Sequence, residues 1–379
     1  MKNFSLYIHI PFCESKCHYC DFTSFACNNS TKETYIDNLL RELSIYRDKV
    51  IDYSIKTIFI GGGTPSAIDA KYIERILEYV YDSFNINNNA EVSIEVNPGT
   101  IDKYKAKKYK SSGINRISLG VQSLNDYTLK SIGRIHNSQD FYNSLKILRN
   151  EGFNNINADL IFSLPGQTIE DIEFTLSEII RLQLEHISLY SLIIEDETPL
   201  GRLYNRGLIE SIDDKLDREM YHRSIEILRD AGYKHYEISN FAKDNKESQH
   251  NLAYWKIKPY LGVGISSHSN LFSKRFFNYS EIETYNNCLS RNTLPIEGEE
   301  IIDKEILISE YMIMGLRLIG GIDIEDYSNR FSEDIYHRYG EVITKHSQSG
   351  LLSVSDSKIA LTRKGVDLAN IVEVDFYNI

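Results

Sequence analysis

Three cysteines lie within eight residues: Cys13, Cys17 and Cys20, in the run CESKCHYC. Thiolates that close in sequence can converge on one small inorganic centre. A [4Fe–4S] cluster held wholly by protein takes four cysteines, but position 22, where a fourth would follow, is Phe. Three ligands leave one iron open, which is what a cluster needs if it is to bind a small molecule directly. A Cys₃His zinc site completed by His9 or His18 is the competing reading. Structural zinc generally uses paired knuckles, however, and this chain has one compact triplet. Cys27 reads as a loop thiol and Cys288 as a small buried hydrophobe. An odd count of five, with four near the start, does not suggest a disulfide framework.

Other polar and glycine residues sit where strand-like runs end. Gly61-Gly62-Gly63-Thr64-Pro65 closes the run IKTIFI, and glycines there let a ligand approach the backbone. Glu95 lies in EVNPG, where a carboxylate can bond an ammonium or hydroxyl group. Gln122 ends a further run. Arg134 lies in IGRIHN and could pair with a carboxylate. Tyr7 and Asp159 lie within runs of their own.

The elements that must position these residues alternate. Strand-like segments are expected at 5–12, 55–61, 91–97, 116–122, 155–164 and 186–194. Amphipathic helices are expected among others at 31–47, 70–84, 141–152 and 169–182. Such alternation implies βαβ units and a parallel sheet. The reading is an α/β fold with an incomplete parallel (β/α)6 barrel over 1–232; a flat doubly wound sheet competes on pattern alone. Residues 233–295 read as a connecting segment. Residues 296–379 read as a helical winged-helix-like module, closing on two short strands joined by SVSDSK. That module reads as a packing or partner-docking unit, because no basic recognition face is evident.

Apolar residues make up 42% of 379, enough for a sizeable core, and the net charge of −12 argues against nucleic acid or an anionic membrane as a general partner. No run approaches the length of a membrane span, and the first residues lack a cleavable leader pattern. A cytoplasmic protein is expected.

The triplet, with an aromatic before its last Cys, resembles the hallmark of the radical SAM superfamily. An ordered set of landmarks extends the resemblance over nearly the whole chain: LYIHIPFCESKCHYCDF, FIGGGTPS, EVNPGT, RISLGVQSLND, DLIFSLPGQT, HNLAYW and YLGVGISSHS. They are similar to the family that contains oxygen-independent coproporphyrinogen III oxidase and a heme-chaperone branch. The resemblance implies a [4Fe–4S] cluster on Cys13, Cys17 and Cys20. It implies S-adenosylmethionine (SAM) held by Tyr7, Gly62, Gly63, Thr64, Glu95, Gln122, Arg134 and Asp159, at strand ends where barrels carry their ligands. One-electron cleavage of SAM is the chemistry such a site supports.

Three features favour the chaperone branch. The oxidase type carries a fourth Cys where Phe22 stands, and it has a long extension before the cluster loop, where twelve residues precede Cys13. The run His250-Asn251-Leu252-Ala253-Tyr254-Trp255 matches the HNxxYW pattern tied to heme binding. Imidazole is a common ligand of heme iron, and Tyr254 and Trp255 could stack on a macrocycle. His268 is a second candidate, standing where the oxidase type has an apolar residue. The implied partners are heme and an acceptor hemoprotein, such as a respiratory cytochrome. A membrane would be met only through such a partner. Oxidative decarboxylation of coproporphyrinogen III is the rival activity, and a radical SAM reaction on another substrate is a third.

Overall fold

The computed structural model describes residues 1–377. Six strands and their connections form the first unit: β1 (Lys2–Ile10), α1 (Asn29–Arg47), β2 (Tyr53–Gly62), α2 (Ala70–Ser83), β3 (Ile86–Val96), α3 (Lys103–Ser111), β4 (Arg116–Gln122), α4 (Asp126–Ser131), α5 (Ser138–Asn150), β5 (Ile156–Phe162), α6 (Ile169–Arg181) and β6 (His186–Ser191). The helices form for local reasons. In α2, Ile73, Ile76, Leu77 and Val80 recur at helical spacing and are buried, and Asp69 caps the first turn. In α6, Thr168 and Asp171 make a reciprocal capping box.

The strands pair in chain order, β1 through β6, all parallel. With right-handed crossovers, that order puts every connecting helix on one face. A doubly wound sheet would reverse its order partway. Curvature follows from the side chains. Tyr7 of β1 and Asp159 of β5 line one cavity, although four strand spacings in a flat sheet would separate them by about 19 Å. The sheet is therefore a barrel segment.

The sheet extends beyond six strands. After α7 (Pro199–Asn205) and α8 (Asp214–Asp230), the hairpin β7 (Lys234–Glu237) and β8 (Asn240–Ala242) joins β6 antiparallel. Helix α9 (Gln249–Trp255) leads into β9 (Tyr260–Val263), a seventh parallel strand paired with β1. The sequence pattern missed β9 because its run is four residues long. Strands β10 (His268–Leu271) and β11 (Lys274–Asn278), helix α10 (Ile282–Ser290) and strand β12 (Ile296–Ile301) complete a twelve-stranded sheet. Buried Glu42 of α1 fixes this extension: it accepts from the Gly264 N–H at 2.8 Å, the Tyr285 hydroxyl at 2.7 Å and Asn278 at 2.6 Å.

The rest is helical: α11 (Lys304–Leu316), β13 (Ile322–Asp323), α12 (Ile324–Phe331), α13 (Ile335–Gln348), β14 (Leu352–Val354), β15 (Lys358–Leu361), α14 (Arg363–Asp367) and α15 (Ala369–Tyr377). Its three short strands order as β13-β15-β14, and β14 and β15 form the wing expected around SVSDSK. A second core includes Ile308, Met312, Tyr327, Phe331, Tyr339, Ile359 and Phe376. This module meets the barrel through a backbone ladder in which Ile238 N–H donates to Arg317 O and Ile319 N–H to Tyr236 O. Among the described residues, no helix is long and apolar enough to cross a membrane.

Candidate functional site

The cysteine loop leaves the end of β1 and is tied at its base, where Phe25 N–H donates to Pro11 O at 2.9 Å and Cys13 N–H to Phe25 O at 3.2 Å. Further out, His18 N–H donates to Ile132 O after α4, and Leu200 N–H of α7 donates to His18 O. Tyr19 packs against Ile132, Ile161 and Leu164. The loop is thus held over the C-terminal ends of the strands by elements on three sides.

Each of two thiols meets a residue named from sequence. Cys17 Sγ accepts from Arg134 Nη1 at 3.4 Å, and Cys13 Sγ lies 3.5 Å from Thr64 Oγ1. Asn97 Nδ2 donates to Thr64 Oγ1 at 2.8 Å, which leaves the Thr64 hydroxyl proton free for the sulfur. Burial raises the Cys20 thiol pKa, and the neighbouring Cys17 and Cys13 add to the rise. The histidines weighed for a zinc site are engaged elsewhere. His9 bonds the Tyr7 hydroxyl and Thr23 O, both at 3.0 Å, and burial lowers its pKa to about 4. His18 bonds Ser131 O at 3.3 Å and lies over Gly133. Among the described residues, no three His, Cys, Asp or Glu side chains, Cys13, Cys17 and Cys20 included, are grouped as ligands of a single ion. Cys27 packs against the core, and Cys288 is half-buried on α10 rather than fully buried.

The glycines of the β2 turn serve close packing. A Cβ on Gly63 would stand 2.9 Å from the Phe12 backbone, and one on Gly62, at φ +116°, would strike the His9 ring at 2.5 Å. The turn is thereby pressed against β1, and Gly62 N–H donates to Glu95 Oε2 at 3.0 Å.

Arg134 spans the rim. Nη2 donates to Asn97 Oδ1 and to Gly120 O, both at 2.9 Å, while Nε donates to His136 Nδ1 at 3.2 Å. Gln122 is held at φ +57°, in the left-handed region, and its Oε1 is buried without a partner, as is His136 Nε2. An orphaned buried polar group costs about 1–3 kcal/mol; a donor on a bound molecule would relieve Gln122 Oε1, and an acceptor would relieve His136 Nε2, which carries the ring proton because Nδ1 accepts from Arg134. Asn97 and His136 belong to the same rim and were not singled out in the sequence. They stand inside EVNPG and IGRIHN, between more conspicuous charges.

Below the rim lies a cavity of about 210 Å³ enclosed by the barrel strands. Tyr7, Glu95 and Asp159 line it, with Arg116, Tyr190 and His250. Burial pushes the Glu95 pKa up to about 8, and the charge of Asp159 contributes. Burial also raises Asp159, against donors from Ser118 Oγ at 2.8 Å and Asn157 Nδ2 at 2.7 Å. Two carboxyl groups face one cavity, and a cationic guest would draw Glu95 back to its ionised form. SAM fits this donor set: it carries an ammonium and a sulfonium for the carboxylates, and a carboxylate that Arg134 could pair with.

The HNxxYW helix does not gather its residues on one face. His250 is 1% exposed and points into the barrel, with Nδ1 2.8 Å from Thr57 Oγ1 and Nε2 2.9 Å from the Tyr254 hydroxyl. Burial lowers its pKa to about 3. Glu91 of β3 accepts the N–H groups of Gln249 and His250 at 3.1 and 3.0 Å, fixing α9 across the N-terminal end of the barrel. Trp255, five residues after His250, lies instead under Arg317 of the C-terminal module, 4.5 Å from its guanidinium. His250 and Trp255 therefore do not flank one macrocycle in this arrangement. His268 is exposed on β10, stacked on Phe277 at 5.3 Å, and is not among the residues that line the cavity.

Comparison with known proteins accords with this geometry. The radical SAM superfamily model matches residues 7–179, and the HemN C-terminal domain model matches 302–368. Heme chaperone HemW of Lactococcus lactis subsp. lactis is 36% identical over 97% of this chain and 95% of that protein. Heme chaperone HemW of Bacillus subtilis is 33% identical over 97% of each. Among solved structures, coproporphyrinogen III oxidase (HemN) from Escherichia coli superimposes with a TM-score of 0.88 at 22% identity, covering 100% of this chain and 90% of that one. That likeness establishes the fold. Radical SAM membership implies a [4Fe–4S] cluster and SAM as cofactors. The chain belongs to the heme chaperone HemW family within the radical SAM superfamily.

Proposed function

We propose that the protein is a heme chaperone: it binds heme and delivers it to an acceptor hemoprotein, such as a respiratory cytochrome. Its near full-length identity to proteins named for that role carries the reading. Cys13, Cys17 and Cys20 hold the cluster. Tyr7, Gly62, Gly63, Thr64, Glu95, Gln122, Arg134 and Asp159 form the SAM site. When bound, cluster and SAM supply one-electron chemistry.

The chain's own residues do the rest. Arg134 and Thr64 offer hydrogen bonds to thiolate sulfurs, Glu95 and Asp159 place two carboxyl groups inside the barrel, and α9 lies across its far end. Phe22, 71% exposed, stands where the oxidase type places a further thiol.

One anaerobic preparation tests the proposal. Hemin should bind with a Soret shift and transfer to an apo-hemoprotein. Coproporphyrinogen III, with SAM and reductant, should remain unchanged. Stoichiometric formation of protoporphyrinogen IX would establish the decarboxylase instead. Rapid SAM cleavage with neither tetrapyrrole engaged would point to another substrate.

A further inference from the structure

Glu42 of α1 is fully buried, at 0% exposed, and no cation is among the groups that act on it. Its bonds come from three neutral donors: Gly264 N–H at 2.8 Å, the Tyr285 hydroxyl at 2.7 Å and Asn278 Nδ2 at 2.6 Å. The titratable groups that face it are Tyr35 and Tyr46 of its own helix and Tyr285 of α10. Strand β11 and the turn after β9 present Asn278 and Gly264, which do not titrate. Buried charges are ordinarily paired. None of these partners is a residue named above for the cluster or SAM.

What Glu42 holds leads to the cysteine loop. Residues 264–267 form a tight turn in which Gly264 has φ +98° and Ser266 φ +53°. A left-handed serine is uncommon and persists where its surroundings hold it. Asn278 Nδ2 also donates to Gly264 O at 2.9 Å and to Ser267 Oγ at 3.2 Å. From the turn, Ile265 N–H donates to the Tyr35 hydroxyl at 3.2 Å, which in turn donates to His9 O at 2.8 Å. Ser266 Oγ donates to Thr23 Oγ1 at 2.9 Å, and Thr23 O bonds His9 Nε2 at 3.0 Å. Thr23 follows Cys20 by three residues, and His9 precedes Cys13 by four. Both ends of the cysteine loop are therefore seated on this turn.

Three donors favour the ionised carboxyl group, but burial outweighs them and raises its pKa to about 7. Parting the turn from α1 admits water and returns Glu42 to a value of about 4.3. The seated turn thus keeps a proton that the parted turn gives up. Seating is favoured in full below the hydrated value, and that advantage is lost as pH rises through the seated one. The Tyr285 hydroxyl can accept as well as donate, so it is the partner able to receive the Glu42 proton. His9, its pKa lowered to about 4, stays neutral near pH 7. We infer that Glu42 is a proton-operated latch for the cysteine loop: protonated, it seats the 264–267 turn against His9 and Thr23, and ionised, it lets the turn part and the loop loosen. The latch itself needs no cofactor, and its effect on a cluster rests on the assignment of Cys13, Cys17 and Cys20.

The test follows hydrogen exchange of segment 260–270 in the full chain, anaerobic and cluster-reconstituted, between pH 5.5 and 8, corrected for the intrinsic rate. Native protection should fall about tenfold or more up to pH 7 and then level off. E42Q and E42L do not titrate, so their protection should stay nearly flat, whatever its level. Iron loss to a chelator should accelerate with pH several-fold more in the native chain than in E42Q. An infrared carboxylic-acid band that disappears with a midpoint near pH 7, and is missing from E42Q, identifies the group. Native protection that is flat, or that falls alike in E42Q and E42L, would overturn the latch. Iron loss with the same pH dependence in native and E42Q chains would overturn its hold on the loop. If neither variant folds, absence of the native acid band at pH 5.5 refutes the latch by itself. A native chain that takes up no iron would remove the cluster reading, and the exchange profile would still decide the latch.

Discussion

Arg134 joins the cysteine loop to the barrel rim: one guanidinium nitrogen lies 3.4 Å from Cys17 Sγ while another lies 2.9 Å from Gly120 O at the end of β4. A planar fork makes both contacts at once, and a lysine cannot. R134A and R134K should both weaken SAM binding to the reconstituted protein about tenfold or more, measured by calorimetry. Near-native affinity in R134K would show that charge alone suffices.

Glu95 makes ligand-free stability depend on pH. Its folded pKa of about 8 lies above the unfolded value of about 4.3. The contribution is full below the unfolded value and is lost as pH rises through the folded one. Between pH 5 and 9 the ligand-free protein should therefore lose roughly 2–4 kcal/mol relative to E95Q, which keeps an acceptor for Gly62 N–H. Thermal melts across that range give the answer, and parallel curves for the two proteins would count against it.

His250 acts in the opposite sense. Its folded pKa of about 3 lies below the unfolded value of about 6.5. Stability is present above the unfolded value and is lost as pH falls toward the folded one. H250F should flatten the stability profile between pH 7 and 4. H250A should cost about 2–4 kcal/mol, through a cavity and a lost partner for Thr57 and Tyr254. An H250A chain as stable as the native one would mean that α9 does not seal the barrel.

Trp255 and Arg317 couple α9 to the C-terminal module. A double-mutant cycle with W255L and R317M should return a coupling of about 0.5–2 kcal/mol. A value near zero would mean that the two residues are neighbours only.

The sequence patterns carried the strands best where both faces are buried: β4 matches its expected span, and β5 and β6 differ by a few residues at their ends. Helix α3, KYKAKKYKS, buries only Ala106 and Tyr109, too little apolar periodicity to stand out. The site followed the same division. The cysteines, Glu95, Arg134 and Asp159 were legible because clustered thiols, and charges within or between apolar runs, are conspicuous. Asn97 and His136 were not, since their roles come from bonds to Thr64 and Arg134 that only the folded rim creates. The split of His250 from Trp255 was also hidden. A short motif gives adjacency, and only the packing of α9 between barrel and C-terminal module assigns its two faces.

The central claim is that Cys13, Cys17 and Cys20 hold a cluster with one iron left open for SAM. The direct measurement is iron and sulfide content with electron paramagnetic resonance of the reduced, anaerobically reconstituted protein, with and without SAM. The native chain should carry about four iron atoms and change its spectrum when SAM is added, and the C13A/C17A/C20A variant should carry none. Full iron content in that variant, or a native spectrum indifferent to SAM, would contradict the account.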